Sequence, residues 1–159
     1  SDERIATRLL FEEGIVGVVP RDHRLAARRS VSRAELTAEP FFLSGIGPHS
    51  SFRQHVLALL ERLDRPVTIT REVAEIHSII SLVGAGLGVS IAPASVRRIR
   101  VDDVAYLPIS DPAPPIEVSL AWLAEVRPPM LARLLDTLAG PEMRPVIAAL
   151  ENREEGADR

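Results

Sequence analysis

The sequence predicts an α/β domain with a mostly parallel sheet flanked by helices. Short apolar runs rich in β-branched residues alternate with stretches in which apolar residues recur every three or four positions. This alternation is typical of βαβ units. The chain has 159 residues, of which 46% are hydrophobic and 26% charged, so it is long enough to bury one core.

Six segments have the composition of strands. They are residues 14–19, 40–43, 67–70, 89–93, 104–107 and 116–123. Pro20 ends the first of them, and a loop rich in turn residues follows the second. In the last segment the apolar residues alternate with polar ones, so one of its faces is expected to be buried.

Four segments have helical spacing or helix-start residues. Ser32 and Glu35 form a capping box for a short helix, and Ser50 or Ser51 can cap a second one. A third helix is predicted around residues 76–83. Prolines 128 and 129 open a fourth, whose predicted buried stripe consists of Met130, Leu131, Leu134, Leu135 and Leu138. A last short helix is expected around residues 146–150.

Composition argues against several classes of function. The chain has 22 acidic and 19 basic residues, all of the latter Arg, which gives a net charge of −3 and no basic stripe for nucleic acid. It contains no Cys, and its four His show no metal-binding spacing, so no metal or cofactor is implied. The first thirty residues are charged throughout and no apolar run reaches the length of a membrane span, which makes the cytoplasm the expected location.

Four stretches, in order, resemble the effector-binding region of LysR-type transcriptional regulators. They are residues 18–26 (VVPRDHRLA), 39–43 (EPFFL), 81–95 (SLVGAGLGVSIAPAS) and 118–122 (VSLAW). In the first stretch Arg24 stands where the family usually has Pro. Together they extend the resemblance over about residues 9–140, and their order and separation make it more specific than any single stretch.

The resemblance implies a type 2 periplasmic-binding-protein-like fold, in which two α/β lobes hold a small molecule between them. On this alignment residues 1–13 are the end of lobe one and a crossover strand, and residues 14–122 form lobe two. Residues 123–140 would return to lobe one, and residues 141–159 would form a C-terminal tail. The resemblance also implies a homo-oligomer that contacts DNA only through an N-terminal region missing from this sequence.

The most informative segment for a ligand is the loop after residues 40–43, which contains Ser44, Gly45, Pro48, Ser50, Ser51 and Phe52. A strand that ends where a helix begins brings hydroxyls and free backbone N–H groups to the carboxyl edge of the sheet, where an anion can bind. We therefore expect contact with a small organic acid, aromatic or dicarboxylic. The alternative is that the serines only cap the helix while Phe52 attaches it to the core.

Two other strand ends should reach the same edge. Ile76 and His77 lie at the start of the third helix, where His77 either senses the ligand or is an ordinary exposed polar residue. Pro93 ends the fourth strand, either as part of the site or as a tight turn. Glycines 84, 86 and 88 follow a helix rather than a strand, which is the reverse of a dinucleotide-binding loop.

These observations predict the ligand-sensing part of a transcriptional regulator rather than an enzyme. A solute-binding protein of a transport system shares the implied fold and is the first alternative. A small hydrolase that uses Ser51 and His49 is the second, although the sequence offers no carboxylate to orient the His. The apolar face of the helix after Pro129 would lack its natural cover, so we also expect self-association.

Overall fold

The computed structural model describes residues 4–45, 47, 50–126 and 128–151. They form two compact units. The larger unit consists of Gly14–Ile116, and the smaller unit combines the described residues before Gly14 with those after Ile116. Among the described residues, no helix has the length and apolar character needed to cross a lipid bilayer.

The larger unit is built on a five-stranded sheet. Its elements, in chain order, are β2 (Ile15–Pro20), α1 (Arg33–Leu36), β3 (Phe41–Ser44), α2 (Ser51–Leu60), β4 (Ile69–Val73), α3 (Ile76–Gly84), β5 (Val89–Pro93), a 3-10 helix (Ala94–Arg98) and β6 (Val104–Pro108). The strand order is β4-β3-β5-β2-β6. Strands β3, β4 and β5 are parallel, and β2 is antiparallel to both β5 and β6. The sheet is therefore mixed, with β2 alone reversed.

The two faces of the sheet are covered by different helices. One face packs with α1 and α2 in a cluster of buried residues that we call the first core: Ile15, Val19, Leu25, Val31, Leu36, Phe41, Leu43, Val56, Leu59, Leu60, Val89, Ile91 and Leu107. The other face packs with α3 and the 3-10 helix in a second core: Val16, Val18, Phe42, Ile79, Ile80, Val83, Ala92, Val96 and Val104. Successive strand residues alternate between the two cores, as the pleat requires.

Local chemistry explains where the helices begin. The Ser32 hydroxyl accepts from the Glu35 backbone N–H at 3.1 Å, and the Ser32 N–H donates to the Glu35 carboxylate at 2.9 Å, which confirms the predicted capping box. The hydrogen bond from the Ser32 backbone holds the pKa of Glu35 below its usual value. The capping box thus fixes the start of helix α1, which is only one turn long.

The strand predicted at residues 67–70 was misplaced. Strand β4 begins at Ile69 and continues to Val73, because it pairs in parallel with β3, from Phe41 opposite Ile69 to Ser44 opposite Val73. The partner strand, rather than the apolar composition of residues 67–70, sets the length of β4.

The smaller unit contains β1 (Ile5–Glu13), β7 (Ile116–Leu123), α4 (Pro129–Ala139) and α5 (Arg144–Glu151). Strands β1 and β7 pair with each other, and the Arg8 guanidinium donates to the Leu135 carbonyl at 2.9 Å. The predicted buried stripe of α4 was wrong. No residue of α4 is buried, and Met130 and Leu134 are 79% and 44% exposed. Amphipathic spacing marks the apolar face but supplies nothing to cover it.

Candidate ligand-binding site

Two connections from strand to helix meet at one edge of the larger sheet. Strand β3 leads into α2 and strand β4 leads into α3, and these parallel strands end side by side with Ser44 opposite Val73. The Gly45 N–H donates to the Val73 carbonyl at 2.8 Å, which ties the two connections together. The starts of α2 and α3 therefore lie at the same carboxyl edge, where open α/β sheets bind ligands.

Gly45 allows the β3–α2 connection to turn tightly. Its φ is +92°, in the left-handed region that favours glycine. A Cβ at this position would lie 2.9 Å from the Ser50 Cβ and 3.2 Å from the Arg53 Cβ, and closer still to the Ser50 hydroxyl. The backbone thus passes directly against the first turn of α2, a close approach that only glycine permits.

The two serines of this loop have different environments. Ser50 is the N-cap of α2, and its hydroxyl accepts from the Arg53 N–H at 3.3 Å. Ser51 is the first residue of the helix and is exposed. Phe52 is half-buried and packs against the first core. The capping role that the sequence left open is thus occupied by Ser50, while Ser51 is exposed.

The start of α3 contributes two predicted residues. Ile76 is half-buried against the second core, whereas His77 is exposed and its carbonyl accepts from the Ser81 hydroxyl at 3.0 Å. Glu75 occupies the N-cap position without a side-chain hydrogen bond to the helix. The Glu75 carbonyl accepts from the Ser78 N–H at 3.1 Å, so the Glu75 side chain leaves the N–H groups of Ile76 and His77 uncapped.

Pro93 ends β5 at the same edge, because β5 is parallel to β3. It pairs with Ile15 of β2 and precedes the 3-10 helix that begins at Ala94. Ser44 is buried in β3, one residue before Gly45. The structure thus brings Ser44, Gly45, Ser50, Ser51, Phe52, Ile76, His77 and Pro93 to one edge, while Pro48, and His49 of the alternative hydrolase pair, lie outside the described residues.

Sequence reasoning missed an ion pair at this edge. The guanidinium of Arg53, in the first turn of α2, donates to both carboxylate oxygens of Glu72 in β4, at 2.6 and 3.3 Å. Hydrogen bonding to Arg53 lowers the pKa of Glu72, and the same interaction raises the pKa of Arg53. A cation in the first turn of a helix is unfavourable, because the helix dipole places partial positive charge there. The position of Arg53 in the sequence was therefore a signal that an acidic partner neutralises it.

Three concave surfaces lined by described residues occur away from this edge. A groove of about 240 Å³ runs between α2 and β4 and is lined by Leu57, Leu60, Glu61, Leu63, Arg65, Pro66, Val67 and Ile69. A recess of about 360 Å³ lies beside Arg21, Asp22, Gly84 and Asp103. In the smaller unit, Trp122, Leu131, Ala132 and Leu135 line an apolar recess of about 240 Å³. Within the described part of the chain, no cluster of His, Asp and Glu is suited to holding a metal ion.

Comparison with known proteins identifies the family. The family model described as the LysR substrate binding domain matches residues 1–140. The chain belongs to this family. Among curated relatives of the LysR domain, the transcriptional regulator YnfL of Escherichia coli is 36% identical over 122 residues, which cover 76% of this chain and 40% of YnfL. CatR of Pseudomonas putida is 34% identical over 110 residues, which cover 69% of this chain and 38% of CatR.

Solved structures support the same LysR fold, the type 2 periplasmic-binding-protein-like fold. The effector-binding domain of BenM bound to its effector benzoate is 27% identical with a TM-score of 0.75, covering 87% of this chain and 64% of that one. The LysR family transcriptional regulator CbnR is 27% identical with a TM-score of 0.78, and the match covers 87% of this chain and 48% of the CbnR chain. This LysR domain thus spans about two fifths of the length of the first curated relatives that it matches.

Proposed function

We propose that this LysR domain senses a small organic acid, aromatic or dicarboxylic, at the carboxyl edge of β3, β4 and β5. The observation that carries the proposal is the meeting of two helix starts at one edge, fixed by the hydrogen bond from Gly45 to Val73. Helix starts offer N–H donors and partial positive charge to a carboxylate.

The edge also supplies surface for the uncharged part of such a ligand. Phe52 and Ile76 are half-buried, each packed against a different core, so their remaining exposed surface can contact an apolar body. The exposed Ser51 hydroxyl is the natural side-chain donor, because the Ser50 hydroxyl already accepts from the helix. A carboxylate on an aromatic ring fits this combination of donors and apolar surface.

The relatives support a regulatory role. YnfL and CatR are helix-turn-helix transcriptional regulators, and one solved BenM domain contains benzoate. A full-length CbnR structure contains its target DNA. We infer that this domain belongs to a homo-oligomeric regulator that contacts DNA through another part of its chain. Ligand binding would control transcription by favouring one of two arrangements, which requires different affinity for each.

Calorimetric titration with benzoate tests the proposal, with benzamide as an uncharged control of the same shape. A ligand that binds only the folded state raises the melting temperature by mass action, so thermal shift provides an independent readout. Succinate and a wider set of carboxylic acids would extend both measurements. We expect at least one carboxylate to bind and its amide not to bind.

A variant pair locates the site. Ser51→Ala should weaken carboxylate binding by about tenfold or more, since it removes one hydrogen bond to a charged group. The matched control is Ser119→Ala, which removes an exposed hydroxyl from β7 in the smaller unit. Equal affinity in the two variants, or the absence of binding by any carboxylate, would contradict the proposed site.

A further inference from the structure

Arg33 connects three separate parts of the larger unit. This residue is only 8% exposed. Its backbone N–H and its Nε both donate to Asp111 Oδ2, at 2.6 and 3.2 Å. Its Nη1 donates to the Leu59 carbonyl of α2 at 3.0 Å. Arg33 of α1 thus joins α2 to the loop after β6. Its partner Leu59 is 26 residues away along the chain, and its partner Asp111 is 78 residues away.

The loop of residues 110–115 has further attachments to the same face. The Ser110 N–H donates to the Val31 carbonyl at 3.0 Å. Ala113 packs against the first core. Three of the six loop residues are proline, which restricts the backbone of the loop.

This loop holds the last residues of the larger unit, since the chain passes into the smaller unit after Ile116. We propose that Arg33 and Asp111, together with the Leu59 carbonyl, form a latch that couples the position of α2 to residues 110–116. The proposal rests on the proposed function only in naming the bound ligand as what moves α2. The latch itself is a property of the larger unit.

Helix α2 contributes to both the candidate ligand site and the latch. Its first turn forms part of the candidate ligand site, and Leu59, whose carbonyl accepts from Arg33, lies two turns further along the same helix. A shift of α2 would lengthen the bond to Arg33 unless residues 110–116 moved with it. A buried charge strongly favours keeping its partner, so the loop should follow the helix.

Cysteine labelling tests the latch directly, because the chain has no cysteine of its own. Ala113→Cys places a thiol on the loop, and Ala92→Cys places one in the second core as a reference. Breaking the latch with Asp111→Ala should speed labelling at position 113 by about tenfold or more, as expected for losing a charge-assisted hydrogen bond. Labelling at position 92 should change less than twofold.

Two variants keep the test decisive. Asp111→Asn keeps the shape of the side chain and replaces the alanine variant if that variant fails to fold. It should increase the labelling rate at position 113 by a smaller factor. Asp64→Ala removes an exposed carboxylate just after α2 and should leave both labelling rates unchanged. Unchanged labelling at position 113 in the Asp111 variants, or equal acceleration at positions 113 and 92, would overturn the latch.

A ligand arm separates this inference from the proposed function. When a carboxylate binds, it should change the labelling rate at position 113 more in the protein with an intact latch than in Asp111→Asn. Binding with the same rate change in both proteins would overturn the coupling. If no carboxylate binds, the proposed function fails, and the ligand-free labelling still decides whether the latch exists.

Discussion

The larger and smaller units use apolar residues in similar periodic patterns, but they bury them differently. Every hydrophobic residue classed as buried among the described residues lies between Ile15 and Leu107, within the larger unit. The smaller unit instead exposes Ile5, Leu9, Leu123, Val126, Met130, Leu134 and Val146. The comparison shows that periodicity selects the apolar face, whereas burial requires a second layer, which the larger sheet has on both faces.

Core truncation should give the largest difference between the units. Phe41 is fully buried in the first core and Met130 is 79% exposed on α4. We expect Phe41→Ala to lower the free energy of unfolding by about 3–5 kcal/mol and Met130→Ala to change it by less than about 0.5 kcal/mol. Urea denaturation followed by circular dichroism measures both. Similar losses in the two variants would break the comparison.

Glycine replacement should give the next largest effect. Gly45 has a φ of +92° and faces the first turn of α2, whereas Gly140 ends α4 with a φ of −65°. Gly45→Ala should cost about 1–3 kcal/mol, because left-handed strain and a steric clash act together. Gly140→Ala needs only a small shift of the Thr137 carbonyl, 3.1 Å away. Thermal melts measure the loss of stability in both variants. Equal losses for Gly45→Ala and Gly140→Ala would contradict the tight turn at Gly45.

Helix capping offers a smaller contrast. Ser50 caps α2 through its hydroxyl, whereas Pro128 occupies the N-cap position of α4 and provides no side-chain cap. Ser50→Ala should lower the free energy of unfolding by about 1 kcal/mol, since it removes one capping hydrogen bond. Pro128→Ala removes no such bond and should cost less. Chemical denaturation of both variants provides the test, and the reverse ranking would count against the cap.

The smallest predicted effect concerns pH. All four histidines lie within the larger unit. Burial lowers the pKa of His55, and its Nε2 is buried with no hydrogen-bond partner. The unfolded state therefore binds this proton more readily, so the His55 contribution to stability is present above the ordinary value of about 6.5 and falls as pH drops below it. His55→Phe should flatten that part of the profile of unfolding free energy against pH; an unchanged slope would exclude His55 as its source.

Much of the larger unit could be predicted from local sequence. The capping box of Ser32 and Glu35 and the starts of α2 and α3 follow from short-range chemistry, and the structure confirms them. The register of β4 could not be predicted, because its length depends on pairing with β3. Arg33 and Asp111 are 78 residues apart, so no local pattern joins them. The same holds for Arg53 and Glu72, 19 residues apart.

The smaller unit was harder to predict for a related reason. The stripe on α4 was read correctly as an apolar face, but its burial depends on what lies against it. For the candidate ligand site, the sequence indicated three strand ends, and parallel pairing brings them to a common edge. Whether these residues contact an organic acid stays a prediction.

The most direct test of the central proposal is an NMR titration of the ¹⁵N-labelled chain with benzoate, or with the tightest carboxylate found, and with the matching amide. The account predicts that amide shifts caused only by the carboxylate concentrate at Gly45, Ser50, Ser51, Phe52 and the start of α3. Shifts concentrated at the Trp122 recess or along the groove between α2 and β4 would contradict it.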